Sequence, residues 1–314
     1  MYSDKRNNTN ININNTVLGN IRYLLSKANR VGISGEGEPI YNSKAVVDIF
    51  QAGNDCLYDF TTGLNYNFLL LSNLVTELVR HSNNKKFRIR VSIDRFHESS
   101  LQKYNIPKLL DLVNSIPNEN IEIGFRSITS DIQFCNNYFY KLCIKNSIQY
   151  GGISLDNLKG FVKLNRLQYP IDFQNIVNPD KIGLRDLYSI EEYIKILEKR
   201  MCKNFTLGGL EGRGRPGFDI TIRPNGDVYF YGIETSIIGN VYKETIDSRL
   251  MNNFIKSESY IIKLLTIPFS EILLKLRKDL EFSSVINSTN NPYWIVKSLY
   301  KIDSTKLKYL LENT

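Results

Sequence analysis

Short apolar segments alternate with longer segments of helical periodicity in the first half of this 314-residue chain. Connections of helical length join parallel strands, because the chain must cross back over the sheet before the next strand begins. We therefore predict an α/β fold, either a parallel sheet or an open β/α barrel. The predicted strands lie at residues 31–34, 57–61, 87–94 and 121–127. The predicted helices lie at about 15–29, 43–52, 66–80, 99–114 and 131–145.

Two of the predicted strands are polar on one face. In the segment 87–94 the residues between the apolar positions, among them Arg88 and Arg90, are polar or charged, and 121–127 repeats this alternation with Glu122. Successive strand residues point to opposite faces, so helices cover the apolar face and the polar face is left uncovered. Buried charges need partners, and Glu122 is placed to pair with Arg88 or Arg90. We expect this face to line a cleft; the alternative is a sheet edge open to water.

The middle of the chain gives a weaker pattern. Residues 148–187 have no clear period and contain Pro170 and Pro179, so we predict irregular structure there. A helix is predicted at about 189–201, and a last strand is predicted at 205–210.

A change of composition marks the C-terminal part. The Gly/Arg-rich segment 211–217 is typical of a break between elements. Beyond it, residues 219–231 predict a β-hairpin around a Pro-Asn-Gly-Asp turn, and the chain is mostly helical from about residue 243. These features predict three parts, which are a polar lead-in at 1–14, a main domain at 15–210 and an extension at 211–314.

The composition limits the class of protein. There are 40 Lys and Arg against 32 Asp and Glu, a net charge of +8, and the basic residues are scattered, which permits an anionic partner without indicating nucleic acid. No apolar run approaches the roughly 20 residues that cross a bilayer. The Asn-rich N-terminus has no apolar core of a secretory signal. We therefore expect a cytoplasmic protein with no membrane partner, for which a nucleic-acid partner is not expected.

Polar turns follow the predicted strands. Ligands of parallel β/α sheets bind at the carboxyl ends of the strands, where the following loops meet. The first turn, 35–39, has two glycines that let a ligand approach the backbone and two carboxylates that can accept hydrogen bonds from an ammonium group. Any one of these turns is more often only a turn; together they predict a binding site. The candidate residues are Gly35, Glu36, Gly37, Glu38, Pro39, Thr61, Thr62, Ser92, Asp94 and Arg126.

In this order, the turns resemble the core of the radical S-adenosylmethionine enzymes. The resemblance rests on the segments RVGISGEGEPIYN, DFTTG and RIRVSIDRFHE. In that family a Gly-Gly-Glu-Pro-like turn holds the methionine amino group, which here implies Gly35, Gly37 and Glu38. Ser92 and Asp94 fall where the family has a Ser and an Asp on its fourth strand, and the resemblance implies that they contact the ribose or the methionine tail.

The hairpin segment resembles the SPASM-type extension of peptide-modifying members of the family. The similarity lies in GRGRPGFDITIRPNGDVYFYG and the following IIGN, and the whole resemblance covers roughly residues 15–240. It implies an open β/α barrel that lacks its first strand in this chain, followed by a small hairpin-plus-helix extension.

The sequence departs from the family pattern at two places where the family binds cofactors. The resemblance implies S-adenosylmethionine and a [4Fe–4S] cluster, but the Cys-x-x-x-Cys-x-x-Cys loop that ligates the cluster is absent, and no cysteine precedes Cys56. Tyr231 stands where the SPASM pattern has a cysteine. Three accounts fit: an N-terminally truncated enzyme, a split enzyme whose cluster lies on a separate chain, or a degenerate homologue.

The resemblance implies reductive cleavage of S-adenosylmethionine and hydrogen abstraction from a peptide or small-molecule substrate. His97 lies just past the Ser92–Asp94 turn and is the candidate group for donating or accepting a proton; its alternative role is to begin a helix. One alternative function is non-catalytic binding of a peptide or nucleotide in the same cleft. A β/α-barrel hydrolase or isomerase is less well supported, because no catalytic carboxylate pair or nucleophile elbow is present.

Overall fold

The computed structural model describes residues 13–34, 38–63, 68–82, 84–101, 106–116, 119–175, 188–208, 219–234 and 236–312. The chain forms two compact units, an N-terminal unit of residues 2–174 and a C-terminal unit of residues 175–314. The sequence places the boundary at 210/211, whereas the units divide between Gln174 and Asn175. Most of the predicted polar lead-in and the segment 211–217 lie outside the described residues.

The N-terminal unit alternates strands and helices as far as residue 145. Its helices are α1 (Asn15–Lys27), α2 (Ser43–Ala52), α3 (Phe68–His81), α4 (Glu98–Leu101), α5 (Ile106–Asn114) and α6 (Ile132–Lys145). Its strands are β1 (Arg30–Ile33), β2 (Leu57–Thr62), β3 (Lys86–Ser92), β4 (Ile121–Ile128), β5 (Tyr150–Asp156), β6 (Lys159–Leu164) and β7 (Leu167–Gln174). The helix predicted over 99–114 is described as two helices, α4 and α5.

A single seven-stranded sheet forms this unit, with the strand order β1-β2-β3-β4-β7-β6-β5. The pairs β1–β2, β2–β3, β3–β4 and β4–β7 are parallel, and β5–β6 and β6–β7 are antiparallel. The prediction of an α/β fold with a mostly parallel sheet is therefore confirmed.

The irregular structure predicted for the middle of the chain is wrong over β5–β7. Pro170, which indicated a loop, lies within a regular strand. Gly152 has φ +88° beside a bulge in β5, and Pro170 lies in β7 just before the stretch that pairs with β4, which begins at Ile171. A proline has no N–H to donate, and at Pro170 the ladder to β4 has not yet begun, although the residue is paired with Phe161 in the ladder to β6.

Aromatic side chains fill the space between the sheet and its helices. Phe50 of α2 packs edge to face on Tyr58 and Phe87, with ring centroids 4.9 and 5.7 Å apart. Phe139 of α6 packs in the same way on Phe125, at 4.9 Å. These partners all lie on the apolar side of β2, β3 and β4, so α2 and α6 cover that side.

The C-terminal unit combines a small sheet with helices. Its strands β8 (Ile220–Ile222), β9 (Asp227–Phe230) and β10 (Ile237–Asn240) form an antiparallel sheet in the order β10-β9-β8. The predicted hairpin is thus confirmed, and Gly226 in its turn has φ +87°. The helices are α7 (Ile190–Met201), α8 (Ser248–Ser257), α9 (Ser259–Thr266), α10 (Phe269–Leu276), α11 (Leu280–Asn287), α12 (Pro292–Ile302) and α13 (Ser304–Glu312).

The strand predicted at 205–210 is absent over 205–208, and its last two residues lie outside the described ones.

Among the described helices, none has the length and apolar character needed to cross a membrane.

The aromatic core generates a stability prediction. We expect Phe87→Ala to lower the free energy of unfolding by about 3–5 kcal/mol, because Phe87 is 0 % exposed and its loss leaves a cavity beside Phe50. The matched control is Phe161→Ala on β6, where the side chain is 49 % exposed and the same change should cost less than about 1 kcal/mol. Urea denaturation measures both; equal losses would contradict this account of the core.

Candidate functional site

Loops from three strand ends meet around Gly63. The side-chain Oε2 of Glu38, which follows β1, accepts a hydrogen bond from the backbone N–H of Gly63 at 3.1 Å. The imidazole of His97, which follows β3, lies against the same residue, so that a Cβ on Gly63 would come within 2.8 Å of its Cδ2. A larger residue at position 63 would therefore push His97 away, and glycine is required for the close approach. The carboxyl ends of β1, β2 and β3 thus meet at one place.

Asp94 fixes the orientation of His97. Its Oδ1 lies 2.8 Å from His97 Nδ1 and also accepts a hydrogen bond from the His97 backbone N–H at 3.2 Å, which caps the 3-10 turn Arg95–His97. Burial lowers the pKa of the His97 imidazole, but the hydrogen bond and charge of Asp94, together with the charge of Glu38, outweigh it and raise the pKa above 6.5. The protonated form of His97 is therefore favoured.

A second contact joins the loops after β3 and β4. Asp131, which is 0 % exposed, accepts hydrogen bonds from the backbone N–H of Arg95 at 2.8 Å and from its Nε at 2.6 Å. A charge-assisted contact of this kind holds the two loops in register. Asp131 was not predicted as a site residue, although it begins the helix predicted at about 131–145, just past the predicted strand 121–127.

The predicted site residues fall into three groups. Glu38, Asp94 and the candidate catalytic residue His97 come together, and Pro39 begins the 3-10 turn that follows Glu38. Gly35, Glu36 and Gly37 lie outside the described residues. The remaining four are strand residues: Thr61, Ser92 and Arg126 share the polar face, and Thr62 shares the opposite face with Val91 and is 1 % exposed.

Ion pairs cover the polar face of the sheet. Arg88 donates to Glu122, with Nε and Nη2 at 2.7 and 2.6 Å from Oε1, which is one of the two pairings that the alternation allowed. Asp59, on β2, is 2 % exposed and forms an ion pair with Arg30. The same carboxylate lies 3.3 Å from Nη2 of Arg90. The sequence did not identify Asp59 as a partner, although it lies on the same face two residues before Thr61.

The cysteine side chains do not assemble into a ligand set. Cys135 is 0 % exposed, its Sγ donates to the carbonyl oxygen of Ile93 at 2.9 Å, and burial raises its pKa to about 12. Cys143 is also buried, Cys56 is half-buried and Cys202 is exposed. No group of three His, Cys, Asp or Glu side chains within the described ranges is arranged to hold a metal ion.

No protein-family model, curated protein or solved structure matches this chain. The geometry of the strand-end loops and of the polar face therefore carries the functional argument.

The Asp94–His97 pair generates a titration prediction. We expect the His97 imidazole to titrate above pH 6.5, and Asp94→Asn to move its midpoint down, because the neutral amide removes the charge that favours the protonated ring. The stability that the pair contributes is full below the ordinary histidine pKa and is lost as the pH rises through the raised one.

Proton NMR of the imidazole resonances measures the midpoints. The chain has two histidines, so the variant His81→Gln assigns the spectrum. An unchanged His97 midpoint in Asp94→Asn would show that the carboxylate does not control the ring.

Proposed function

We propose that this chain is a protein of the radical S-adenosylmethionine type and that it binds S-adenosylmethionine at the carboxyl ends of β1, β2 and β3. The observation that carries the proposal is the meeting of Glu38, Gly63 and His97 at one place. These residues come from the three separate segments that carry the resemblance to that family, at 30–42, 59–63 and 88–98.

The chemistry of this group suits the ligand. S-adenosylmethionine presents an ammonium group, a carboxylate and ribose hydroxyls. The Glu38 carboxylate can accept from the ammonium group while Oε2 keeps its hydrogen bond to Gly63. Ser92 and Asp94 end the neighbouring strand and offer acceptors for ribose hydroxyls. Asp94 also raises the pKa of His97 beside the site, and the protonated imidazole can donate a hydrogen bond to a ligand.

The sheet topology supports the same proposal. Strands β1 to β4 follow one another in both sequence and space, and they are parallel. The helices α2 and α6 cover one side of these strands and leave the charged side for a ligand. This arrangement is compatible with an open β/α barrel, in which helices lie on one side of parallel strands. The hairpin of the C-terminal sheet β8–β10 fits a SPASM-like extension. Tyr231, which stands where that pattern has a cysteine, packs against Tyr293 with ring centroids 4.6 Å apart.

The described residues do not fit a [4Fe–4S] cluster. Such a cluster needs thiolates, and the Cys135 thiol is buried with a pKa of about 12. Cys143, on the same helix, is also buried. The proposal for this chain is therefore binding of S-adenosylmethionine, and a cluster for its cleavage would come from residues other than these.

A second candidate function follows from the same placement of the cysteines. In it, the chain is a non-catalytic homologue that binds a peptide or a nucleotide at the strand-end site. This function differs from the first in its ligand, because it does not need the ammonium and sulfonium groups of S-adenosylmethionine.

Calorimetry distinguishes the two candidates. We expect the full chain to bind S-adenosylmethionine and to bind ATP, which has no ammonium or sulfonium group, far more weakly. Glu38→Gln should weaken S-adenosylmethionine binding about tenfold or more, because the amide keeps the acceptor for Gly63 but loses the charge facing the ammonium group.

The matched control is Glu77→Gln, which makes the same chemical change on an exposed face of α3. It should leave the affinity unchanged. If the wild-type chain shows no S-adenosylmethionine binding, or if both variants bind equally, the first proposal fails. Preferential binding of ATP would favour the second candidate.

A further inference from the structure

The polar face of the sheet carries more guanidinium than carboxylate groups. On β1–β4 and β7, apart from Lys86 at the exposed start of β3, its charged residues are four arginines and three acidic residues. The exposed residues Asp156, Lys159 and Lys163 lie on the same face of β5 and β6. The arginines are Arg30, Arg88, Arg90 and Arg126, and the acidic residues are Asp59, Glu122 and Asp172. One positive charge is therefore unmatched among these seven. Glu38 and Asp94, farther along at the strand ends, bind Gly63 and His97.

The ion pairs among these seven residues are of two kinds, those with hydrogen bonds and those too long for them. Near the start of the strands, Arg88 makes hydrogen bonds to Glu122, and Arg30 makes one to Asp59. Towards the carboxyl end, the Nε atoms of Arg90 and Arg126 lie 3.9 and 3.8 Å from the carboxylate of Asp172. These distances are too long for hydrogen bonds. Within the described part of the chain, the guanidinium groups of Arg90 and Arg126 make ion pairs but no hydrogen bonds.

The arrangement of Arg90 and Arg126 around Asp172 is energetically unfavourable without further hydrogen-bond acceptors. Arg90 is 6 % exposed, and a guanidinium group has five N–H donors that need acceptors once water is removed. Burial lowers the pKa of Arg90 to about 10, although the charges of Asp172 and Asp59 oppose that shift. The Asp59 Oδ1 atom at 3.3 Å receives no hydrogen bond from the described residues. The side chain of Arg126, by contrast, is 31 % exposed, so a ligand can reach these ion-paired residues from solvent at Arg126.

We propose that Arg90 and Arg126 form a binding site for the oxyanion of a small molecule, a carboxylate or a phosphate-type group. One negative charge balances the excess among these seven residues, and its oxygens accept from both guanidinium groups. Ser92 lies beside Arg126 in the β3–β4 register and adds a hydroxyl donor. Gly124, opposite Arg90 in the same register, places no side chain over the site. The site shares Ser92 with the proposed S-adenosylmethionine site, but its guanidinium groups favour an anion whether or not that ligand binds.

Arginine side-chain NMR tests the site directly. The full chain is labelled with ¹⁵N-arginine and titrated with sodium acetate or sodium sulfate at constant ionic strength. Arg90→Lys and Arg126→Lys assign the two Nε–H resonances. We expect both resonances to shift and to saturate at a common dissociation constant. The exposed Arg80 of α3 is the control, and its resonance should not saturate. Tighter binding of acetate identifies a carboxylate ligand, and tighter binding of sulfate identifies a tetrahedral oxyanion.

A second variant keeps the test decisive if the buried Arg90→Lys does not fold. Arg126→Gln changes a partly exposed residue, and in it the Arg90 resonance should saturate at a dissociation constant about tenfold higher. Arg80→Gln, with the same change of charge, should leave the dissociation constant unchanged. The proposal is overturned if the Arg90 and Arg126 resonances respond no more than that of Arg80, or if Arg126→Gln binds as the wild type does. A chain that binds S-adenosylmethionine but neither anion would overturn this inference alone.

Discussion

Charge matching on one side of a parallel sheet is the constraint on which the N-terminal unit depends. Helices α2 and α6 cover the apolar side, so every charged residue of the strands lies on the other side and needs a partner there. Asp59 is the centre of this arrangement, because one buried carboxylate faces Arg30, Arg88 and Arg90. Removing Asp59 would take a carboxylate away from three guanidinium groups at once, whereas an exposed ion pair contributes little.

The strand ends follow a different principle, which is close approach of the backbone. Gly63 allows the imidazole of His97 to lie against β2, and the backbone N–H of the same residue binds Glu38. Beyond the strand ends, contacts between loops position the side chains. Asp131, after β4, accepts a hydrogen bond from the backbone N–H of Arg95 in the loop after β3. The site is thus built from side chains whose positions are fixed by neighbouring backbone groups, which reduces the entropy lost when a ligand binds.

The sequence predicted what depends on local period and missed what depends on distant partners. Alternation within single strands predicted the polar face and a partner for Glu122 in Arg88 or Arg90, of which Arg88 is the one that binds it. Strands β5–β7 were missed because their segment shows no clear period and contains Pro170, a residue typical of loops. Only the neighbouring strands show that Pro170 is paired with β6 and precedes the pairing with β4, which begins at Ile171. The contact of His97 with β2 depends on the path of a loop across two strands, which no local pattern encodes.

The bulge in β5 has a consequence for association between molecules. In the order of this sheet, β5 is an outer strand and pairs on one side with β6. An outer strand that is long and flat offers free N–H and C=O groups to another chain, which leads to aggregation. The register shift between Tyr150 and Ile153, with Gly152 in a left-handed conformation, interrupts that row of groups. The irregular start of β5 therefore hinders the addition of further strands at this edge of the sheet.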